Sequence, residues 1–396
     1  MNSMSLISII SGETRSPLAG FYRASLGGLE PLYRGLIAVR NTTFDKGLRH
    51  PAQLGRTTIS VGNLTTGGTG KTPMVAHLVN CLRAFGATPA VLLRGYKGRA
   101  DNHELNCVPP PPRYRSDELQ EYEQAFGESV PVAADPDRRR SARFILHHHP
   151  KVSVFVLDDG FQHRQVHRDL DLVLIDATCP FGFGRLLPRG LLREPASALR
   201  RAAAVIVTRS DQIDASRLIN LDNQIERLGG RRPIAHTCHH WEDLLDAAGN
   251  PASLDELAEK RVVAVCAIGN PKSFLATLSR HVGAVLHSEI LPDHCPYSKG
   301  QIENLMDQAC RRGADALVLT EKDWVKWREQ LAGNILPLPV LRPRLSIRLL
   351  DGADALDQLL QSTSGRSDPA SSPHPHCLSQ LEANHLGTQR RNTRPK

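Results

Sequence analysis

The chain has 396 residues, of which 40% are apolar and 23% are charged, and its formal net charge is +8. This length predicts two globular units rather than one. No apolar run approaches about 18 residues, which argues against a membrane-spanning helix. The first ten residues have no basic segment before an apolar one, so we do not expect a secretory signal. The sequence therefore predicts a cytoplasmic protein.

The positive charge lies mainly at the two ends of the chain. Residues 1–50 and residues 362–396 each carry a net charge of +3. A nucleic-acid-binding protein would place a basic stripe and stacking aromatic side chains on its folded part, yet aromatic residues make up only 5% of this chain. The charge therefore argues against nucleic acid and leaves anionic lipid or a solvated surface as alternatives.

Apolar residues recur every three or four positions near the N-terminus, which predicts amphipathic helices within residues 1–50. Pro31 is expected to divide this segment into two helices. The helices either lie in the headgroup layer of a membrane or pack on their own domain, and the pattern alone favours neither. The expected apolar face consists of Leu18, Tyr22, Leu26, Leu29, Tyr33 and Leu36.

From residue 57 onward, short β-rich runs alternate with helical periods, which predicts an α/β fold with a mainly parallel sheet flanked by helices. We predict a P-loop NTPase-like domain over residues 51–215 and a second, smaller α/β domain over residues 216–361. Residues 362–396 contain too few apolar side chains to form a core, so we expect a disordered basic tail there.

A glycine-rich segment lies between a predicted strand, TTISVGN, and a predicted helix. In such a turn the backbone N–H groups converge on phosphate oxygens at the helix N-terminus. Lys71 is expected to reach the β- and γ-phosphates of ATP, and the Thr72 hydroxyl to hold Mg²⁺. Thr65 stands where the first glycine of the common pattern belongs. The expected nucleotide-binding residues of this segment are Thr65, Gly67, Gly68, Thr69, Gly70, Lys71 and Thr72.

Two adjacent acids, Asp158 and Asp159, end the predicted strand VSVFVLDDG. The carboxyl ends of parallel strands form the ligand-binding edge of such a sheet. One of the two acids is expected to hold Mg²⁺ or its water, and the other to orient a neighbour or the substrate. The alternative, an ordinary polar strand end, is less consistent with Gln162 and His163, which follow closely.

Several motifs occur in the order typical of one family. Across residues 57–325 the chain resembles the tetraacyldisaccharide 4′-kinases, and the threonine at position 65 belongs to the family's own pattern. The motifs are GNLTTGGTGKTP at 62–73, RGY at 94–96, PDR at 136–138, LDDGFQH at 157–163, GRLLPRGLLREP at 184–195, PDHCPY at 292–297 and TEKD at 320–323.

The resemblance implies a two-domain α/β kinase that is peripheral on the cytoplasmic face of the inner membrane. Its implied reaction transfers the γ-phosphate of ATP, with Mg²⁺, to the 4′-hydroxyl of a tetraacyldisaccharide 1-phosphate in lipid A biosynthesis. Nothing in the sequence indicates an obligate protein partner.

The resemblance also implies roles for individual residues. Asp117 aligns with the family's catalytic aspartate and is the candidate base, with His294 as the residue that orients or tunes it. Ser116 and Leu119 depart from the family pattern around this acid, so Glu118 stays open as the alternative base.

The remaining implied roles concern phosphate, metal and substrate. Arg193 and Glu194 are expected to face the γ-phosphate and the metal, so that Glu194 joins Thr72 and Asp158 as a metal ligand. Arg138 is expected to clamp phosphate. Gln162 and His163 are expected to contact the substrate.

Two other functions stay open at this point. A soluble P-loop kinase that acts on a small metabolite would have no use for an amphipathic N-terminus. A nucleotide-dependent switch or partition-type ATPase would need no proton acceptor beside an acceptor sugar.

Overall fold

A computed structural model of the protein describes residues 6–95, 99–100, 114–115, 117–292, 295–331 and 336–365. The helices are α1 Leu6–Ser11, α2 Pro17–Asp45, α3 Lys71–Ala84, α4 Asp117–Phe126, α5 Arg138–His148, α6 Ala215–Gly229, α7 Pro271–Leu278, α8 Lys299–Arg311, α9 Glu321–Leu331 and α10 Ala353–Ser364. The strands are β1 Thr57–Asn63, β2 Pro89–Leu93, β3 Arg99–Ala100, β4 Tyr114–Arg115, β5 Val132–Ala134, β6 Val154–Asp158, β7 Leu170–Asp176, β8 Ala204–Thr208, β9 Ala235–Leu245, β10 Pro251–Ala252, β11 Arg261–Cys266, β12 Ala284–Ile290, β13 Ala316–Leu319 and β14 Val340–Leu349.

Most of these strands form one sheet, in the order β12-β11-β13-β14-β9-β8-β7-β1-β6-β2-β5. Strand β9 is antiparallel to β14 and β10, and the other neighbours in this order are parallel. The central strands β6, β7 and β8 are buried along their whole length, as expected for apolar runs covered by helices on both faces. The predicted α/β class with a mainly parallel sheet is confirmed.

The two predicted domains share this sheet, because β9 is parallel to β8 and antiparallel to β14. Helix α6 begins at the predicted boundary, yet Leu221 and Ile225 are buried in one cluster with Val205 of β8. Helix α10 also packs back, since Leu356 and Leu360 lie in the cluster that contains the apolar face of α3. Helix α6 therefore packs with the first half of the sheet, although it lies beyond the predicted domain boundary at residue 215.

Helix α2 continues through Pro31, so the prediction of two helices divided at this proline was wrong. Proline lacks an N–H group, and its ring opposes the carbonyl group of the residue four positions earlier, here Gly27. Tertiary contacts on both sides of Pro31 offset this cost. Glu30 accepts a hydrogen bond from the Leu186 N–H group, and the Tyr33 hydroxyl donates to the Arg193 carbonyl oxygen.

The C-terminal helix α10 ends at Ser364 and so includes the first three residues of the predicted tail. Thr363 is buried, and its hydroxyl donates to the Leu359 carbonyl oxygen at 2.8 Å. Residues 366–396 lie outside the described residues, so the prediction of disorder stays untested there. Among the described helices, none combines the length and apolarity needed to cross a bilayer.

Candidate active site

The glycine-rich loop joins the buried strand β1 to the N-terminus of α3. Gly67 and Gly70 have φ values of 116° and 86°, a backbone region that favours glycine. At Gly70 a side chain is also excluded by space, because a Cβ atom there would lie 2.5 Å from Nε2 of His239. Thr65 is buried and pairs with Leu192 instead of lining the cleft.

Side chains outside the loop hold its backbone in place. The Thr208 hydroxyl donates to the Thr69 carbonyl oxygen at 3.0 Å, and Arg209 donates to the Gly68 carbonyl oxygen at 2.7 Å. The Asn63 amide donates to the Thr69 hydroxyl at 2.8 Å. The loop conformation is therefore fixed by β1 and by the end of β8, before any ligand binds.

Lys71 and Arg193 flank Asp159 in the cleft. The Lys71 ammonium lies 3.5 Å from Asp159 Oδ1, and Arg193 Nη1 donates to both oxygens of the same carboxylate, at 2.8 and 2.7 Å. Burial alone would raise the pKa of Asp159, but the two cations outweigh burial and lower it to about 2. Asp159 therefore stays ionised and keeps both cations beside the loop.

Asp158, at the end of β6, has the opposite environment. Burial and the nearby Glu118 raise its pKa to about 6. Tyr122 donates to Asp158 Oδ2 at 3.0 Å and is also hydrogen-bonded to Thr72, so that these three side chains meet at the start of α3. Asp158 Oδ1 is buried and has no hydrogen-bond partner among the described residues. A carboxylate oxygen left free beside a threonine hydroxyl fits the donor preference of Mg²⁺.

Arg138 and His163 line the same cleft. Arg138 is buried, and it donates to the carbonyl oxygens of Asp135 and Asp158 at 3.1 and 3.3 Å. Burial lowers the pKa of Arg138 to about 10. Burial, together with Arg138 and Arg168, lowers the pKa of His163 to about 4, so His163 is neutral at pH 7. The role of Arg138 as a phosphate clamp stays a prediction.

Gln162 connects the loop to Arg193. Its amide donates to the Asn63 carbonyl oxygen at 2.8 Å, and its Oε1 atom accepts from Arg193 at 3.4 Å. This side chain lines the cleft, and its contact with the substrate stays a prediction.

Glu194 has a different setting from the one expected for a metal ligand. Its side chain is fully buried, and Oε2 accepts from Asn41 at 3.1 Å and from Arg201 at 2.8 Å. Arg40 lies 3.9 Å from Oε1. Asn41 of α2 and Arg201 engage only Oε2, whereas Oε1 has no hydrogen-bond partner among the described residues. The carboxylate therefore holds α2 to the protein, and its predicted role as a metal ligand stays a prediction.

The structure does not describe the side chains of the two residues implied as base and orienting group. The side chain of Asp117 lies outside the described residues, although its backbone begins α4, and His294 lies outside them as well. Glu118, the alternative base, lines the cleft, as does Glu121. Burial raises the pKa of Glu121 to about 7, against the opposing effect of Lys322.

The cleft has a volume of about 1020 Å³ and lies between the two halves of the sheet. The glycine-rich loop and the acidic pair form one wall. Residues after β11 and β13 form the facing wall, among them Asn270, Phe274, Thr320 and Lys322. A volume at the upper end of the range for ligand pockets is sufficient for a nucleotide and part of a second substrate.

Sequence reasoning missed several side chains that shape this site. Asn63 was within a quoted motif, and its position directly after β1 was a usable signal. Tyr122 and Arg209 had no such signal, because their contacts with Asp158 and with the loop join segments far apart in the chain.

Residues 22–363 match the sequence profile of the family described as Tetraacyldisaccharide-1-P 4′-kinase. The Tetraacyldisaccharide 4′-kinase of Geobacter sulfurreducens is 35% identical over 367 residues, which cover 89% of this chain and 98% of that protein. The protein of the same name from Halothermothrix orenii is 32% identical, with coverages of 81% and 87%. A crystal structure of "apo" form LpxK from Aquifex aeolicus in complex with ATP has a TM-score of 0.62 and 26% identity, covering 86% of this chain and 99% of that one.

Proposed function

Because the chain belongs to the tetraacyldisaccharide-1-P 4′-kinase family, it is a kinase, and we propose how its cleft works. ATP and Mg²⁺ bind at the glycine-rich loop, and the γ-phosphoryl group passes to the 4′-hydroxyl of a tetraacyldisaccharide 1-phosphate. The observation that carries this proposal is the contact of Lys71 and Arg193 with one carboxylate, Asp159, beside the N-terminus of α3.

The proposed roles follow from charge and position. Lys71 and Arg193 stabilise the negative charge on the transferring phosphoryl oxygens, and Asp159 holds both cations ready before substrate arrives. Thr72 and Asp158 hold Mg²⁺, which neutralises phosphate charge when it is bound. The glycines support the phosphates through the loop backbone, and Thr65 anchors the start of the loop through its pairing with Leu192.

The acceptor hydroxyl needs a group that takes its proton. Asp117 is the proposed base, with Glu118 as the alternative and His294 as its orienting partner. Arg138, Gln162 and His163 are the proposed contacts for phosphate and sugar groups at the other side of the acidic pair.

Helix α2 supports attachment to the cytoplasmic face of the inner membrane. Its outward face exposes apolar side chains at the spacing of one helical stripe. Tyr33 lies beside this stripe and is partly buried where α2 packs on the protein. The stripe consists of Leu18, Phe21, Tyr22, Leu29, Leu32, Leu36 and Val39, each more than half exposed. A helix lying in the headgroup layer would bury this stripe and place the active site near a lipid acceptor.

The test of the reaction offers purified protein ATP, Mg²⁺ and a disaccharide 1-phosphate lipid, followed by mass spectrometry of the lipid. We expect one added phosphate and release of ADP only when the acceptor is present. Lys71→Ala should reduce product formation by at least about 100-fold. ADP release that does not depend on the acceptor would instead favour a nucleotide-dependent switch.

A further inference from the structure

The inner face of α2 is hydrogen-bonded to the segments that carry two cleft residues. The Tyr33 hydroxyl donates to the Arg193 carbonyl oxygen at 3.0 Å. Further along the same helix, Arg40 donates to the Gln162 carbonyl oxygen. Arg193 and Gln162 are also joined to each other through their side chains. Helix α2 therefore contacts the main chain of both residues that face Asp159 and the loop.

Glu194, the residue that follows Arg193, adds a further contact between this segment and α2. Its buried carboxylate accepts from Asn41 of α2 and from Arg201. The Arg201 guanidinium in turn lies 4.6 Å from the centre of the Phe161 ring. The segment of Arg193 and Glu194 is thus bonded both to α2 and to Arg201.

Direct contacts continue from Tyr33 to the glycine-rich loop. Tyr33 holds the Arg193 backbone, the Arg193 side chain holds Asp159, and Asp159 lies 3.5 Å from the Lys71 ammonium. Burial and the nearby Glu194 raise the pKa of Tyr33, so its hydroxyl keeps the proton that it donates at pH 7. A guanidinium stabilises a transition state only when it is held in the right position. Even a small displacement of the Arg193 guanidinium would therefore lower the rate of phosphoryl transfer.

We infer that Tyr33 is a positioning residue for phosphoryl transfer, which fixes the backbone of Arg193 so that its guanidinium stays on Asp159 beside Lys71. The inference rests on the proposed kinase function. It makes α2 a part of the catalytic unit, in addition to any role at a membrane surface. A helix that only attached the protein to lipid would not affect turnover of an acceptor dispersed in detergent.

The test is Tyr33→Phe, which removes only the hydroxyl, assayed with a detergent-dispersed acceptor. We expect kcat to fall about three- to tenfold, the range for loss of one hydrogen bond, with the KM for ATP changed less than twofold and Tm unchanged. Ser25→Ala is the matched control, because it removes an exposed hydroxyl of α2 whose hydrogen bond among the described residues goes to Phe21 of the same helix. Its kcat should equal that of the wild type.

Hydrogen exchange of the ligand-free protein gives a second readout. Loss of the Tyr33 hydroxyl should speed exchange in the peptide that contains residues 190–196, whereas Ser25→Ala should not. A kcat for Tyr33→Phe within twofold of the wild type would overturn the inference, whatever the exchange shows. If the wild type itself forms no phosphorylated lipid, the proposed function fails instead, so the two failures are distinguishable.

Discussion

Two adjacent carboxylates in the cleft have opposite pKa shifts, and their neighbours explain the difference. Asp159 has φ = 53°, which turns it toward Lys71 and Arg193 on the side of the loop. Asp158 continues the strand into a buried site near Glu118. Asp159 is therefore a permanent anion that organises cations, whereas Asp158 is an acid whose charge costs free energy until a cation binds.

This difference predicts that Asp158→Asn stabilises the fold but lowers the catalytic activity. A carboxyl whose pKa rises from 3.8 to about 6 on folding stabilises the fold while protonated, below its unfolded pKa. That contribution is lost as the pH rises through about 6. Without Mg²⁺, Asp158→Asn should raise the free energy of unfolding by about 2 kcal/mol more at pH 7.5 than at pH 4.5.

The same variant should lower kcat by at least about 100-fold, because a neutral amide holds Mg²⁺ poorly. Thermal unfolding at the two pH values and the product assay measure the two effects. Asp307→Asn on α8 is the control, since that side chain is exposed. Equal destabilisation of Asp158→Asn at both pH values would contradict this account of the buried carboxyl.

At the scale of the element, α2 has two faces with different partners. The inner face is fixed to the protein through Tyr33, Arg40 and Asn41. The outer face exposes the apolar stripe, in which Leu29 and Leu36 are 53% and 63% exposed. Such a continuous exposed stripe is uncommon on a soluble protein and is typical of a surface that binds another partner.

We predict that replacing both Leu29 and Leu36 by glutamate abolishes binding to vesicles that contain anionic lipid, at unchanged Tm. Burying the glutamate carboxylates at the membrane surface would cost free energy, and their negative charges would also be repelled by anionic lipid. Vesicle sedimentation measures the effect. The matched control is Ile219→Glu on α6, where an equally exposed apolar side chain lies away from the stripe. Unchanged sedimentation of the double variant would leave α2 without a membrane role.

Sequence predicted those features that depend on local pattern. The strand before Gly67, the helix that begins at Lys71 and the acids at the end of β6 are encoded by apolar runs and turn chemistry within about 20 residues. The continuity of α2 through Pro31 and the burial of Glu194 against Asn41 depend on contacts between distant segments. Periodicity grouped Tyr33 with Leu29 and Leu36 in one apolar face, but it did not show which of these side chains the rest of the protein covers. Tyr33 packs on the protein, whereas the two leucines are exposed.

At the scale of the whole molecule, the C-terminal elements β14 and α10 must be held against the first half of the chain for the shared sheet to be stable. His236 of β9 joins these parts. Its Nε2 atom lies 3.0 Å from Asp222 of α6, and its Nδ1 atom lies 2.8 Å from Asp351, just before α10. Burial opposes protonation, but the two carboxylates outweigh it and raise the pKa of His236.

A raised pKa means that protonated His236 stabilises the fold below its unfolded pKa of about 6.5, and that this contribution is lost as the pH rises through the higher folded value. His236→Asn should therefore lower the free energy of unfolding by about 1 kcal/mol more at pH 6 than at pH 9. Denaturant unfolding at the two pH values measures this. His149→Asn, at an exposed position after α5, is the control. If His236→Asn lowered the free energy of unfolding equally at pH 6 and pH 9, His236 would not act as a charged link between α6 and α10.

The cleft between the halves brings the glycine-rich loop, the acidic pair and the facing wall together, and the account depends on a triphosphate binding there. The most direct measurement is a crystal structure with Mg²⁺ and a non-hydrolysable ATP analogue. We predict that the γ-phosphate contacts both Lys71 and Arg193, and that the metal is held by Thr72 and Asp158. A triphosphate bound away from Lys71, or a metal bound without Asp158, would contradict the account.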